Sequence, residues 1–400
     1  MRQKLFGILI IVFLSACERT DDLDRILKFY GDAKEDIGFS VAIASDGYII
    51  GGQMTEITRS AGMISDASKK MGIIKTDFDG NIVWKKYLGG KLQGFGSKII
   101  LLDNDTIVCA GQVTDTVLLQ TDIFVVKLAP DGSEVVRKIF KRPGNQTSTD
   151  ILKTWEGYLL LGTTDVERTP VTDSSGNKAG RKDILLRRIY NNLGQIDTPS
   201  VTGYPNDDYG VALKSNPDGG YIVLGTTDNT VSGQGGNNFL LWRPNIYGFA
   251  AQSVVIGTTD DEYAADLEVL DDGYLLVGTI GMETEDQSVF IAKIPRNISN
   301  APVFTRKIER TESWSVKAVS RYRTNSFVVA GKAGTASSSR MLVFVVDPEG
   351  NPVPGKEVIT GSSGIQTAYD VVSDSEGNII AVGKNNIQTN TLITLLKFRF

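Results

Sequence analysis

The chain has 400 residues, of which 41% are hydrophobic and 22% charged, and its formal net charge is −5. It contains no histidine and only two cysteines, so the commonest general base and metal ligand is missing, and cysteine zinc sites and disulfide frameworks are excluded. The acidic balance and the lack of any basic run argue against nucleic acid as a partner.

The N-terminus has the layout of a secretion signal. Arg2 and Lys4 give a positive start, and residues 5–14 form an apolar run that is too short to span a bilayer. The next segment, Leu14-Ser15-Ala16-Cys17, resembles the lipobox of bacterial lipoproteins, which implies cleavage before Cys17 and acylation of its thiol. We therefore expect a signal peptide over 1–16, a lipidated tether over 17–24 and a membrane as one partner. An ordinary signal peptide that happens to contain a cysteine is the alternative.

The tether continues Glu18-Arg19-Thr20-Asp21-Asp22. Its acidic pair resembles the export signal of surface-exposed lipoproteins in the Bacteroidota, although a solvated acidic tether explains it equally well. The predicted localisation is the outer membrane, with the cell surface and the periplasmic side both left open.

One pattern then recurs through the rest of the chain: a tight turn, an aromatic or apolar residue, an apolar triplet and a closing glycine. DGYIIGG at 46–52 and DGYLLVG at 272–278 are clear copies. The closing glycines are spaced by 59, 51, 63, 53, 53 and 52 residues, and seven copies at this period predict a propeller or an array. These glycines are Gly52, Gly111, Gly162, Gly225, Gly278, Gly331 and Gly383.

Each repeat continues as two apolar runs around an Asp-Gly-like turn, as in MGIIKTDFDGNIVWKKYLGG at 71–90, which predicts a hairpin. A unit therefore has four short strands, a to d, and must bury its faces against neighbouring units. The last unit ends at its third strand, whereas residues 25–31 resemble a fourth strand. We predict an all-β seven-bladed β-propeller over 25–400, a single domain of four antiparallel strands per blade, whose N-terminal strand completes the last blade and closes the ring.

This repeat resembles the lipoprotein propellers of the Bacteroidota and, more broadly, the WD40-like and quinoprotein-like propellers. Asp77, Gly80 and Trp84 are similar to the quinoprotein motif, but with shorter spacing and in one unit only. We therefore expect no cofactor and no metal. Residues 76–81, TDFDGN, are interpreted as a turn rather than as a calcium loop, and Cys109 as a small buried hydrophobe.

The predicted b–c loops at 53–70, 163–182 and 226–237 are long and varied, whereas the a–b turns are tight. Long varied loops on a rigid scaffold commonly carry function, so we place a binding face where the b–c and d–a connections lie. Aromatic and acidic residues near the start of strand a are its candidates, and packing between blades is the alternative explanation for them. These candidates are Phe39, Phe95, Asp208, Tyr209, Glu262, Tyr263, Trp314 and Tyr369.

No nucleophile elbow, phosphate-binding loop or kinase motif is present, and we assign no catalytic residue. The leading hypothesis is a non-catalytic scaffold that binds an envelope protein or a glycan. One alternative is a carbohydrate-active hydrolase or lyase that uses Asp, Glu and Tyr. Another is a platform subunit of an envelope secretion or assembly machine.

Overall fold

In a computed structural model, each repeat forms one antiparallel sheet of four strands, and seven sheets surround a central channel. The structure describes residues 25–31, 35–60, 63–166, 182–204, 206–228, 235–245, 250–281, 286–298, 301–361, 364–387 and 390–400. The predicted signal peptide over 1–16 and tether over 17–24, with Cys17, lie outside the described residues. Within these ranges, no helix is long and apolar enough to cross a membrane.

The strands follow the chain in order, and blade 1 begins after the first strand, β1 (Ile26–Tyr30). Blades 1 to 3 contain β2 (Ile37–Ala44), β3 (Gly47–Ser60), β4 (Met63–Thr76) and β5 (Ile82–Leu88); β6 (Gln93–Leu101), β7 (Ile107–Asp115), β8 (Gln120–Leu128) and β9 (Glu134–Phe140); and β10 (Gln146–Lys153), β11 (Gly157–Thr164), β12 (Asp183–Tyr190) and β13 (Ser200–Thr202). Blades 4 and 5 contain β14 (Asp208–Ser215), β15 (Tyr221–Thr227), β16 (Asn238–Pro244) and β17 (Ala250–Ile256), and β18 (Glu262–Val269), β19 (Gly273–Ile280), β20 (Ser288–Pro295) and β21 (Phe304–Ile308). Blade 6 contains β22 (Trp314–Arg321), β23 (Phe327–Gly334), β24 (Ser339–Val346) and β25 (Pro352–Thr360), and blade 7 contains β26 (Gln366–Ser373), β27 (Asn378–Ile387), β28 (Asn390–Arg399) and β1.

The N-terminal strand closes the ring. β1 pairs antiparallel with β28, with Ile26 opposite Lys397 and Tyr30 opposite Ile393. The Tyr30 hydroxyl is also bonded to blade 1, where it donates to the carbonyl oxygen of Gly80 at 2.8 Å. The predicted seven-bladed propeller, with its last blade completed by the first strand, is therefore confirmed.

A β-bulge at the same place in the first strand of every blade explains the repeated glycine. In blade 6 the bulge residue is Lys317, and Gly331 pairs with the residue before it, Val316. A Cβ on any of the seven closing glycines would lie between 1.8 and 2.7 Å from a carbonyl oxygen of the facing strand. Only glycine fits this close approach of two backbones. The bulge residues are Phe39, Ser97, Thr149, Val211, Ala265, Lys317 and Tyr369.

Three aspartates join neighbouring blades. They directly follow the bulges of blades 3, 5 and 7, one in each. Asp370 of blade 7 accepts hydrogen bonds from the N–H of Val41 in blade 1 at 2.9 Å and from that of Val371 at 3.0 Å. Its carboxylate also lies 3.2 Å from the Lys98 ammonium. Together with one serine, these carboxylates accept one backbone N–H from each of the seven first strands. The other contacts join Asp150 with Ile151 and Leu213, Asp266 with Leu267 and Val319, and Ser40 with Ile99.

Apolar side chains fill the space between successive blades. Cys109 is buried in such a cluster with Met71 and Phe124, and burial raises the pKa of its thiol to about 12. The prediction that Cys109 acts as a small buried hydrophobe is confirmed.

The face at which each first strand begins also carries the b–c connections, as predicted. We call it the top face. In blade 4 the N–H of Asp228, after the second strand, donates to the carbonyl oxygen of Asp207, before the first strand, at 2.9 Å. The prediction of a loop over 53–70 is wrong, because β3 and β4 extend through it as one long hairpin with Thr55 opposite Lys69. Of the other two predicted loops, residues 167–181 and 229–234 lie outside the described residues.

Candidate functional site

Bulge residues line the channel, and Phe95, Tyr209 and Tyr263, each two positions before a bulge, lie at its mouth on the top face. Bulge residues of six blades surround one narrow cavity of about 100 Å³ in the channel. Among the predicted candidates, Phe39 and Tyr369 are bulge residues, with ring centroids 5.0 Å apart. Phe95 lies two residues before its bulge and 5.7 Å from Phe39. The structure thus brings these three rings together at blades 7, 1 and 2.

Three other candidates lie inside the protein. Asp208, Glu262 and Trp314 occupy the same place in their blades, three residues before the bulge, and are 0%, 0% and 2% exposed. Asp208 accepts the N–H of Tyr204 at 2.5 Å, and Glu262 accepts that of Thr258 at 3.0 Å. Burial raises the pKa of Glu262. The two carboxyl groups hold the connection that leads into the first strand, Trp314 packs in the apolar core against Phe344, and none of the three is accessible to a ligand.

The two remaining candidates, Tyr209 and Tyr263, lie in a pocket of the top face. This pocket has a volume of about 590 Å³ and lies at the seam between blades 4 and 5. It is lined by Asp207, Tyr209, Val211, Thr226, Asp228, Asn237, Tyr263 and Ala264.

Hydrogen bonds hold both tyrosine rings in place. The Tyr209 hydroxyl donates to Asp207 at 3.2 Å and accepts from the Lys182 ammonium at 3.3 Å, while this ammonium lies 5.0 Å from the ring centroid. The side-chain amide of Asn237 donates to the Tyr263 hydroxyl at 3.0 Å. Because the protein's own residues make these contacts, little side-chain ordering is left to be done on binding.

Two carboxyl groups, those of Asp207 and Asp228, line the pocket. Burial raises the pKa of Asp228, and the charges of Asp207 and Asp261 raise it further. The pocket therefore combines apolar rings with several hydrogen-bond acceptors, an arrangement that suits a ligand with donors around an apolar body, such as a sugar or a cationic side chain.

Sequence analysis found the tyrosines but not the polar residues opposite them. Asp228 and Asn237 come from the b–c connection, and the sequence does not show which residues of that connection return to the mouth. Asp207 was visible, because residues two apart in a strand share a face, so Asp207 lies beside Tyr209 while Asp208 points inward. Strict alternation before the bulge was the available signal.

The turn over 76–81 behaves as predicted from its sequence. Asp77 accepts the N–H groups of Asp79 at 3.0 Å and Asn81 at 2.8 Å, and these bonds together with the Asn81 amide lower its pKa. In the described part of the chain, no group of three or more Cys, Asp or Glu residues is placed to hold a metal ion.

Comparison with known proteins gives the fold only. The sequence matches no protein-family model and no curated protein at a significant level. Among solved structures, the chain is similar to the acylaminoacyl peptidase of Pyrococcus horikoshii, at 10% identity and a TM-score of 0.46, over 90% of this chain but only 50% of the peptidase.

Two other solved structures match over nearly their whole length. The α-L-arabinofuranosidase of Fusarium graminearum has 11% identity and a TM-score of 0.48, over 93% of this chain and 96% of that one. The hydrazine synthase of Kuenenia stuttgartiensis has 9% identity and a TM-score of 0.49, over 90% and 96%. At these values the similarities say nothing about the function of this chain.

Proposed function

We propose that this chain is a lipid-anchored binding protein of the bacterial envelope that takes a protein or glycan ligand in the pocket between blades 4 and 5. The observation that carries this proposal is the pocket itself, in which Tyr209 and Tyr263 are held by hydrogen bonds beside acidic and amide groups. Rigid aromatic rings supply contact area at low entropic cost, and the surrounding polar groups supply orientation.

The direction of β1 supports this assignment. As the fourth strand of blade 7, β1 starts on the face opposite the top face and runs toward it, since it pairs antiparallel with β28. A tether over 17–24 that precedes it would therefore join the propeller on the lower face. The top face would then point away from the bilayer to which Cys17 is anchored, where a ligand can reach it.

Replacing Tyr209 with alanine tests the proposal. We expect the affinity for the ligand to fall by at least about tenfold, because the variant loses a preorganised ring at the centre of the contact. Ligands are sought by screening the purified chain against a glycan array and against envelope proteins, and affinities are then measured by calorimetry.

Tyr190→Ala is the matched control, since this exposed tyrosine ends β12 on the lower face. Equal loss of binding in both variants, or full binding by Tyr209→Ala, would show that the ligand does not use this pocket.

A glycoside hydrolase is the second candidate, and one observation favours it. Asp228, whose pKa is raised, shares the pocket with Asp207, and such enzymes use a pair of carboxyl groups of which one has a raised pKa. If a bound glycan is cleaved by the wild-type chain and bound but not cleaved by Asp228→Asn, the protein is an enzyme. Binding without cleavage by the wild type supports the binding function.

A further inference from the structure

The seam between blades 6 and 7 repeats the backbone of the blade 4–5 pocket with opposite charge. The N–H of Gly334 donates to the carbonyl oxygen of Ser313 at 2.7 Å, just as the N–H of Asp228 donates to that of Asp207 at 2.9 Å. Ser313 and Gly334 therefore stand where the pocket has its two carboxylates, and this seam lacks both negative charges.

Blade 6 has lysines at two further positions that are equivalent to residues lining the pocket in blade 4. Lys317 is the bulge residue of blade 6, where blade 4 has Val211. Lys332 follows the closing glycine of blade 6, where blade 4 has Thr226. Blade 7 repeats the second substitution with Lys384. Val211 and Thr226 both line the pocket between blades 4 and 5, so Lys317 and Lys332 belong to the corresponding surface between blades 6 and 7. By the same equivalence, Lys384 belongs to the neighbouring surface between blades 7 and 1.

Lys317 differs from Lys98 and Lys214, the other cations of the channel, because no described carboxylate lies within ion-pair distance of its ammonium, although Asp150, Asp266 and Asp370 line the same cavity. Lys98 lies 3.2 Å from Asp370, and Lys214 lies 3.7 Å from Asp266. Lys317 has no ion pair or hydrogen bond among the residues that the structure describes, and its side chain is exposed to the solvent of the channel.

The surroundings of Lys317 are unfavourable to its charge. Solvent reaches the Lys317 side chain through the channel, but protein surrounds the side chain on its other sides. This partial burial lowers the pKa of Lys317. The charges of Lys332 and Lys384 lower it further. An enclosed ammonium near two like charges costs free energy unless an anion joins them.

A serine hydroxyl at the same seam also has no partner. Ser315 occupies the place of Tyr209, two residues before the bulge and opposite Lys332 in the strand register. Its side chain is only 4% exposed, and its hydroxyl makes no hydrogen bond within the described ranges. Buried hydroxyls nearly always have a partner, so an unpaired one beside lysines points to a missing acceptor.

We propose that the seam between blades 6 and 7 binds an oxyanion, held by Lys317 and Lys332 with the Ser315 hydroxyl as a further donor and with Lys384 adding its charge. Phosphate, sulfate and carboxylate groups share the required chemistry, and the group enters from the top face as part of a larger ligand or as a free ion. The site is separate from the tyrosine pocket between blades 4 and 5.

Calorimetric titration of the whole mature chain with inorganic phosphate, sulfate and acetate, at constant ionic strength set with chloride, tests the proposal. We expect saturable binding of at least one oxyanion and a loss of at least about tenfold in Lys317→Met. Lys138→Met, which removes an exposed lysine of β9, should bind as the wild type does. A phosphate monoester and a sulfated monosaccharide, titrated in the same way, distinguish the sources of the anion.

Thermal unfolding supplies a second measurement. In chloride buffer, Lys317→Met should melt at a higher temperature than the wild type, because it removes a charge that has no ion-pair partner. The oxyanion should raise the melting temperature of the wild type and leave that of the variant unchanged. Equal oxyanion affinities in the two proteins, no saturable binding by the wild type, or a lower melting temperature of Lys317→Met in chloride would each overturn the site. Tyr209→Ala should keep the oxyanion affinity of the wild type, so this test stands or fails independently of the proposed function.

Discussion

Replacing Gly331 with alanine should lower the free energy of unfolding by about 3 kcal/mol or prevent folding altogether. The added Cβ would lie 1.9 Å from the carbonyl oxygen of Ser315 and 2.7 Å from the Cα of Val316. Both atoms belong to the backbone of β22, which is hydrogen-bonded to β23 on one side and packed against the neighbouring blade on the other. The strand cannot move away without breaking the bulge, so the clash is not relieved by a side-chain rotation. Urea denaturation followed by fluorescence measures the loss.

Gly219→Ala is the control for this prediction. Gly219 has a φ of +94°, and nothing lies within 4 Å of the position where its Cβ would be. Alanine there costs only the strain of the left-handed backbone, about 1 kcal/mol. If Gly331→Ala were no less stable than Gly219→Ala, the close approach of the two strands would not be the reason for the repeated glycine.

The same close approach explains why the fold was predictable from sequence. A position that only glycine can occupy recurs wherever the bulge recurs. The regular spacing of these glycines in the sequence therefore marked all seven blades. Ring closure was equally visible, because residues 25–31 match the fourth strand that the last repeat lacks. The hairpin over 53–70 was misread as a loop, since Ser, Thr and Gly are typical of loops but Thr and Ile also pair across the long ladder of β3 and β4.

The candidate site was predictable only in part. An aromatic residue near the start of the first strand is visible in the sequence, but alternation separates Tyr209 at the mouth from Trp314 in the core only once the position of the bulge is known. The residues that complete each seam come from the next blade or from the b–c connection, some 20 to 60 residues away. Lys317 shows its unusual surroundings only when the strand register aligns blade 6 with blade 4.

Asp370→Asn should destabilise the ring by about 3 to 5 kcal/mol, the usual cost of removing one partner from a buried ion pair. The carboxylate accepts two backbone N–H groups, from Val41 and Val371, and pairs with Lys98. An asparagine has a single acceptor oxygen and turns an N–H toward one of the two donors. Burial is the largest single influence on Lys98 and lowers its pKa, but the charges of Asp370, Asp150 and Asp266 together outweigh burial and raise the pKa. The variant therefore leaves an ammonium without its nearest counter-charge.

The control is Asp103→Asn, at an exposed position with no contact of this kind in the described structure, and it should be neutral within about 0.5 kcal/mol. Adding Lys98→Met to Asp370→Asn should recover part of the stability, because the orphaned charge is removed as well. If the double variant were less stable than Asp370→Asn by the full cost of Lys98→Met alone, the two groups would be independent, and the aspartate would act only on the backbone.

Asp370→Asn should also lower the free energy of unfolding by more than Asp150→Asn does, although both carboxylates accept two backbone N–H groups. Between blades 3 and 4 the chain itself connects two complete sheets. Blade 7 is joined to blade 1 through β1, which is attached to the rest of its own sheet by the hydrogen bonds to β28 and by the packing of Tyr30, without a covalent connection inside the sheet. Asp370 bonds the C-terminal part of blade 7 directly to blade 1, so its loss weakens the one seam where the ring can open without breaking a covalent bond. Equal costs for Asp370→Asn and Asp150→Asn would mean that β1 and the other contacts of this seam, such as the hydrogen bond from the N–H of Asp36 to the carbonyl oxygen of Thr391, are enough to hold the ring closed.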